Sequence, residues 1–179
     1  MTAGVRIWLV RHGESTWNRE RRLQGQTMDV PLTPLGRAQA VEAAAQLPAG
    51  VRIISSDQLR ALDTAEIIAD HLGGTVEVDA RLREQGLGEL EGKHYDDLAA
   101  EPTPPGQHIT EVRWGGGESV QDVHARVTAF LADLATDAIL VSHGDTIRIL
   151  CAAIDGLGHR DVEWVDVPSA AVVGPKEFA

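Results

Sequence analysis

Cysteine is nearly absent from this chain. Cys151 is the only one, so no intrachain disulfide can form, and the composition suits a reducing compartment. It lies in the apolar run Ile147-Arg148-Ile149-Leu150-Cys151-Ala152-Ala153-Ile154, where a core thiol is a simpler reading than a nucleophile. Positive charge is scarce too. Sixteen Lys and Arg stand against 27 Asp and Glu, a formal net charge of -11, so no sequence-independent grip on nucleic acid is expected. Phosphate is not excluded, because a few arginines converging on one pocket are enough to hold it. No window approaches the roughly 18 apolar residues of a membrane span. Residues 1–10 carry one arginine and no long apolar stretch, unlike a secretory leader. Internal repeats and low-complexity segments are also missing. The expectation is one cytoplasmic domain over residues 1–179, with neither membrane nor nucleic acid as a partner.

What is present is an alternation. Short apolar runs at 5–10, 51–55, 75–78 and 138–141 read as buried strands. Between them lie helical patterns. Thr33-Pro34 supplies a cap and a first-turn proline for a helix reaching Leu47, which Pro48-Ala49-Gly50 ends. Asp57 is the expected cap of a helix running to Leu72 and closed by Gly73-Gly74. Val120, Val123, Val127, Phe130, Leu131 and Leu134 repeat at helical spacing, and 146–154 reads as another helix. A short helix is expected over 94–100. The alternation of Val162, Trp164, Val165 and Val167 suggests extended chain, and Ala171-Val172-Val173 a final strand. This pattern predicts an α/β fold, a three-layer α/β/α sandwich around a mostly parallel sheet.

In such sheets ligands gather beyond the carboxyl ends of the strands, and two histidines fall there. His12 follows the first strand in Arg11-His12-Gly13-Glu14-Ser15, and His143 follows the fourth in Ser142-His143-Gly144-Asp145. Gly13 permits close backbone approach, and Arg11 can hold phosphate oxygens bidentately. Taken singly, His12 reads equally well as an ordinary loop histidine. A metal site is disfavoured, since neither segment carries further His, Cys or carboxylate ligands at the usual spacing; Asp145 is expected to cap a helix. Arg60, one turn into its helix, can lean over a strand end or simply be solvated.

The ordered set of motifs resembles the histidine phosphatase superfamily. Its members are Arg-His-Gly-Glu-Ser with Trp17-Asn18, Ser56-Asp57-x-x-Arg60-Ala61-x-x-Thr64-Ala65, Leu82-Arg83-Glu84 with Gly88 and Glu91-Gly92, Gly116-Gly117-Glu118-Ser119, and Val141-Ser142-His143-Gly144. They follow in order from Arg11 to Gly144, which spans most of the chain, although any one alone would be weak. The resemblance implies ping-pong phosphoryl transfer on a small phosphorylated substrate. His12 would be the nucleophile, with Arg11, Arg60 and His143 around the phosphoryl oxygens and Glu84 as the proton donor. It implies no metal and no organic cofactor. Asn18, Gln24 and Gly25 would contact phosphate or substrate, and Glu118 would organise the surroundings of the site. The alternative for Glu84 is an exposed loop carboxylate; its neighbours Arg81 and Arg83 are expected to face solvent.

Within that superfamily the chain reads as a phosphatase. Mutases hold a donated phosphoryl group behind long insertions, whereas here Glu118 lies only 34 positions beyond Glu84, several of them Pro-Thr-Pro-Pro-Gly. Leu90-Glu91-Gly92-Lys93-His94-Tyr95 contains no paired arginines, and Leu87 and Leu90 stand where Phe and Trp are common in the family. Tyr95, Trp17, Trp114, Lys93, Arg113 and His94 are candidates for the pocket mouth. A phosphoglycerate-type mutase is the enzyme alternative, and a phospho-ligand-binding regulatory module is the non-enzyme one.

Overall fold

A computed structural model describes residues 4–179. Five strands form one sheet: β1 (Val5–Arg11), β2 (Arg52–Ser55), β3 (Val76–Val78), β4 (Ala138–Ser142) and β5 (Val172–Phe178). Their order across the sheet is β3-β2-β4-β1-β5. Only β5 runs antiparallel to its neighbour. Helices α1 (Thr16–Arg19), α2 (Pro34–Ala44), α3 (Leu59–Leu72), α4 (Val120–Ala132) and α5 (Gly144–Ile154) surround it.

Both faces of the sheet are covered, which explains why its central strands read as continuous apolar runs. Trp8, Val10, Ile53, Ile139 and Val141 point toward the alanines of α2 and α3. Ile7, Leu9, Ile54, Ala138 and Leu140 point toward Val123, Val127, Leu131, Ile147 and Leu150 on α4 and α5. β4 is buried along its whole length. At about 1.5–3 kcal/mol for each fully buried aliphatic side chain, this strand and its helices set the stability of the centre.

Thr33 caps α2 as expected, its hydroxyl accepting from Gly36 N–H at 3.0 Å. Gly73 ends α3 in the left-handed conformation. Four expectations need correction. Asp57 caps nothing; Gln58 is the N-cap of α3, and the Asp57 carboxylate pairs with Arg83 instead. The segment expected as a helix over 94–100 contains a single 3-10 turn, Tyr95–Asp97, because it has no apolar face two turns long. The alternation over 162–167 is not a strand. Val162 and Val167 are buried while Trp164 and Val165 are exposed, so the segment hangs from two anchor points. Asp145 is not a cap either; α5 starts from His143, and Asp145 lies in its first turn.

Candidate active site

The parallel register of β1 and β4 places Arg11 opposite Ser142. The next residue of each strand is then a histidine. His12 N–H donates to the Ser142 carbonyl at 3.0 Å, and Ser56 N–H, just beyond β2, to the Val141 carbonyl at 3.0 Å. Three adjacent strand ends thus deliver His12, His143 and Ser56 to one place. The rings of His12 and His143 lie with centroids 5.2 Å apart. The glycine after His12 serves this geometry: a Cβ at Gly13 would sit 2.2 Å from the Gly36 carbonyl oxygen, so the loop and α2 meet only because the side chain is missing.

His12 is buried, and its Nδ1–H donates to the Gly13 carbonyl at 2.7 Å. A carbonyl can only accept, so the neutral ring carries its proton on Nδ1 and leaves the Nε2 lone pair free. Burial holds the His12 pKa well below the ordinary 6.5, and the charges of Arg60 and Arg11 push it the same way. His143, fully buried, is depressed by the same burial and by Arg60. Its Nε2 lies 2.9 Å from the Ser56 hydroxyl. With that hydroxyl donating, the His143 proton sits on Nδ1.

Arg60 is completely buried, not solvated. Its Nη1 donates to the Thr27 carbonyl and its Nη2 to the Gly25 carbonyl, both at 2.9 Å. Burial lowers its pKa to about 10, so it remains a cation at neutral pH. Arg11 donates through Nη1 to the Val167 carbonyl at 2.6 Å. Among the described residues, three buried side-chain nitrogens have no hydrogen-bond partner: Arg11 Nε, Arg60 Nε and His143 Nδ1. Unpaired buried donors are costly, on the order of 1–3 kcal/mol each. Here all three belong to one cluster, beside a ring with a free lone pair. An oxyanion would satisfy them.

Arg11, His12, Asn18, Gln24, Gly25, Arg60 and Glu84 line a common cavity of about 200 Å³, a size that suits a phosphoryl group and a few further atoms. Glu84 is half-buried, not a free loop carboxylate. Its Oε1 accepts from Thr146 N–H at 3.1 Å, Thr146 Oγ1–H at 3.0 Å and Gln85 N–H at 2.9 Å. The first turn of α5 therefore fixes this carboxyl beside His143. Arg81 and Arg83 do not enter the cavity; Arg81 is held by Asp79 and Asp133, and Arg83 by Asp57. Gly25 has φ +46°, and its carbonyl is tied to Arg60 and Gln58, so the backbone of this residue shapes the wall. Asn18 closes a capping box with Ser15, and the Ser15 hydroxyl also lies 2.7 Å from Gln24 Oε1. Glu118 organises the surroundings as expected, accepting from Gly86 N–H, Gln26 and Arg126.

Sequence reasoning missed several participants. Gln58 bridges the loops, donating to the Gly25 carbonyl at 2.9 Å and accepting from Glu84 N–H at 2.8 Å. Thr64 Oγ1 accepts from Gly13 N–H at 3.0 Å. Both lie inside the motif around Arg60, which was the available signal. Asp145 and Arg148 also line the cavity, joined at 2.6 Å. Burial and the Glu84 charge raise the Asp145 pKa to about 6. Of the proposed mouth residues, Tyr95 does line the cavity, while Arg113 is exposed and paired with Asp122. Cys151 is half-buried against the core.

The depressed histidines predict a pH dependence of stability. An unfolded imidazole protonates near 6.5, whereas His12 and His143 in the fold do so only at lower pH. The unfolded chain then binds more protons below pH 6.5, so stability is intact above that value and lost as pH falls beneath it. The loss reaches at most about 1.4 kcal/mol per pH unit for each ring. Asp145, raised from 3.8 to about 6, has the opposite sign and partly offsets the loss below pH 6. Denaturant unfolding between pH 7.5 and 5.5 should show the decline in the wild type. Most of the slope should vanish in a His12→Asn/His143→Asn double variant; an unchanged slope there would refute the assignment.

Among the described residues no helix is long and apolar enough to cross a membrane, and no three His, Cys, Asp or Glu converge as metal ligands would. The sequence profile of the histidine phosphatase superfamily (branch 1) matches residues 7–174. A protein named "Probable phosphoglycerate mutase GpmB" from Enterobacter sp. (strain 638) is 41% identical over 164 residues, covering 86% of this chain and 76% of its own. The protein of the same name from Escherichia coli (strain K12 / DH10B) is 42% identical over the same length. Among solved structures, a mycobacterial glucosyl-3-phosphoglycerate phosphatase in complex with VO3 superposes with a TM-score of 0.83. It is 34% identical, and the match covers 94% of this chain and 89% of that one. A protein from Thermus thermophilus gives a TM-score of 0.74 at 35% identity, covering 94% of this chain and 91% of its own.

Proposed function

We propose that this chain, which belongs to the histidine phosphatase superfamily, is a cytoplasmic phosphomonoester hydrolase that works through a phosphohistidine at His12. The observation that carries the reading is that three unpartnered buried nitrogens belong to Arg11, Arg60 and His143, the residues grouped around the ring whose Nε2 is free. The phosphoryl group of a small monoester sits among them. His12 Nε2 attacks phosphorus in line as the ester oxygen departs, and Glu84 gives that oxygen its proton. Glu84, now a carboxylate, takes a proton from water, which attacks the phosphorus of phospho-His12 and releases inorganic phosphate. The ring returns to its neutral form. Its low pKa keeps the lone pair available at neutral pH, so no base is needed for the first step. Two guanidiniums and the His143 N–H balance the charge that metal ions balance in kinases, so every step proceeds without a metal.

Water is the acceptor in this reading, and phosphatase and mutase readings diverge there. A mutase of the kind named among the relatives must hold a second anionic group on its substrate. Here the additional cation of the cavity, Arg148, already donates to Asp145 at 2.6 Å and to the Val165 carbonyl. The structural match to a phosphatase supports the same side. With a phosphomonoester in ¹⁸O-water and excess EDTA, inorganic phosphate carrying one ¹⁸O is expected at an undiminished rate. Interconversion of 2- and 3-phosphoglycerate outpacing phosphate release would establish the mutase instead. Inactivation by EDTA with rescue by a divalent ion would overturn the charge assignment.

A further inference from the structure

The wall of the phosphate cavity has a second side. Leu23, Leu87, Tyr95 and Asp145 line that cavity and also line a larger groove of about 450 Å³. Ile109, Trp114 and Trp164 complete the groove's apolar walls. The chain has only seven Trp, Tyr and Phe residues, and three of them meet here. Tyr95, Ile109 and Trp164 are each more than half exposed. Large apolar side chains left to water beside a reactive site are the signature of a ligand surface.

The polar inventory of the groove is short. The Thr110 hydroxyl is engaged by His108 and His159 at 2.7 and 2.8 Å. The Gln85 amide donates to the Glu118 carbonyl at 2.8 Å. Among the described residues, Asp145 is the only charged one along the groove, and no Lys or Arg lines it; Lys93 lines an adjoining cavity that shares Leu23, Leu87 and Trp114 with the groove and also holds Asp97 and Glu101. A leaving group bearing a carboxylate or second phosphate would meet the Asp145 carboxylate, and the cation beside it, Arg148, is already committed to that carboxylate and to the Val165 carbonyl. A sugar would place its hydroxyls against apolar walls and lose hydrogen bonds to water. A flat apolar group would displace water from three aromatic side chains at no such cost.

We propose that this groove is the leaving-group subsite, and that it selects phosphomonoesters of apolar, ring-bearing alcohols over sugar phosphates and phosphoglycerate-type anions. The proposal rests on the phosphatase reading for what departs into the groove, but binding tests it without turnover. Phosphonates have a carbon in place of the ester oxygen and are not hydrolysed. Calorimetry on the intact protein should find 2-phenylethylphosphonate binding about ten- to a hundredfold more tightly than ethylphosphonate, the range expected for burying a phenyl ring. 2-Carboxyethylphosphonate should bind no more tightly than ethylphosphonate. Trp164→Ser, at an exposed position that costs the fold little, should shrink the phenyl advantage several-fold, and Trp114→Ala should shrink it further. Equal affinity for the phenyl and ethyl compounds, failure of the phenyl compound to bind, strongest binding of the carboxylate, or an undiminished advantage in both variants would overturn the subsite. The parent reading fails separately. If the phenyl preference appears but 2-phenylethyl phosphate is never hydrolysed, the groove stands and the phosphatase does not. If esters are hydrolysed while the phosphonates bind alike, the reverse holds.

Discussion

The His12→Ala variant is expected to lose turnover by a factor on the order of 10⁴–10⁶ while remaining folded. The first half follows from the geometry. Among the described residues no other histidine lines the cavity and its guanidiniums are cations, while His143, fully buried next to His12, turns its lone pair toward Ser56. The second half follows from packing. His12 lies past the end of β1, its backbone N–H and carbonyl stay paired with Ser142 and Ala170, and the alanine keeps those bonds. The cost is a small void and the loss of one bond from ring to carbonyl, about 1–3 kcal/mol. The same experiment identifies the attacked atom. Wild type mixed briefly with ³²P-labelled ester and quenched in base should carry label that survives alkali and is lost in acid, the behaviour of a phosphorus–nitrogen bond whose nitrogen must be protonated to leave. His12→Ala should carry none. Label on Ser15, Ser56 or Cys151 would sink the mechanism, as would an unlabelled wild type that still turns over.

Much of this site was legible in the sequence, for a physical reason. A parallel sheet covered on both faces makes its central strands uninterrupted apolar runs, and whatever follows such a run stands at the carboxyl edge where ligands bind. His12, Arg11 and His143 are therefore positioned by local pattern. Arg60 is different. Its helix was evident, but its complete burial depends on carbonyls of residues 25 and 27, a contact between segments over thirty residues apart that no periodicity reports. Gln58 was missed on the same ground. Its single amide joins the loop at Gly25 to the backbone of Glu84, and only the fold brings the two within reach. Asp57 and Asp145 show the converse error. Each has a side chain suited to capping, and each is instead committed to an arginine, Arg83 and Arg148. Local propensity loses there to a charged partner that tertiary structure supplies. Residues 162–167 failed through periodicity itself: alternating apolar residues imitate a strand, but the Val165 and Val167 carbonyls are spent on Arg148 and Arg11 rather than on a neighbouring strand.

Glu84→Gln should separate the two chemical steps by leaving group. The amide keeps the size of the carboxyl and can still accept from Thr146 N–H and Thr146 Oγ1–H, so the loop should hold its place. What it cannot do is give up a proton as an acid does. An aliphatic alkoxide needs that proton and should suffer the full loss of general acid catalysis, on the order of 10²–10⁴-fold. A nitrophenolate departs readily as the anion, so its phosphorylation step should fall far less. With the glutamate also proposed to activate the water that attacks phospho-His12, a second loss common to both substrates is expected; it limits kcat once phospho-His12 forms faster than it is cleared. Since kcat/KM reports only the steps up to the departure of the alcohol, it isolates the acid role. The expected result is a kcat/KM that drops at least tenfold more for an alkyl phosphate than for p-nitrophenyl phosphate, with kcat reduced for both. In the p-nitrophenyl case a burst of nitrophenolate equal to the enzyme concentration should precede slow turnover, because phospho-His12 accumulates. Equal falls in kcat/KM, or none, would remove Glu84 from the role. Asp145 would then be the carboxyl to test, since it lines the same cavity and burial raises its pKa to about 6. An Asp145→Asn variant showing the leaving-group dependence that Glu84→Gln lacks would assign the proton to Asp145, next to Arg148 and along the groove.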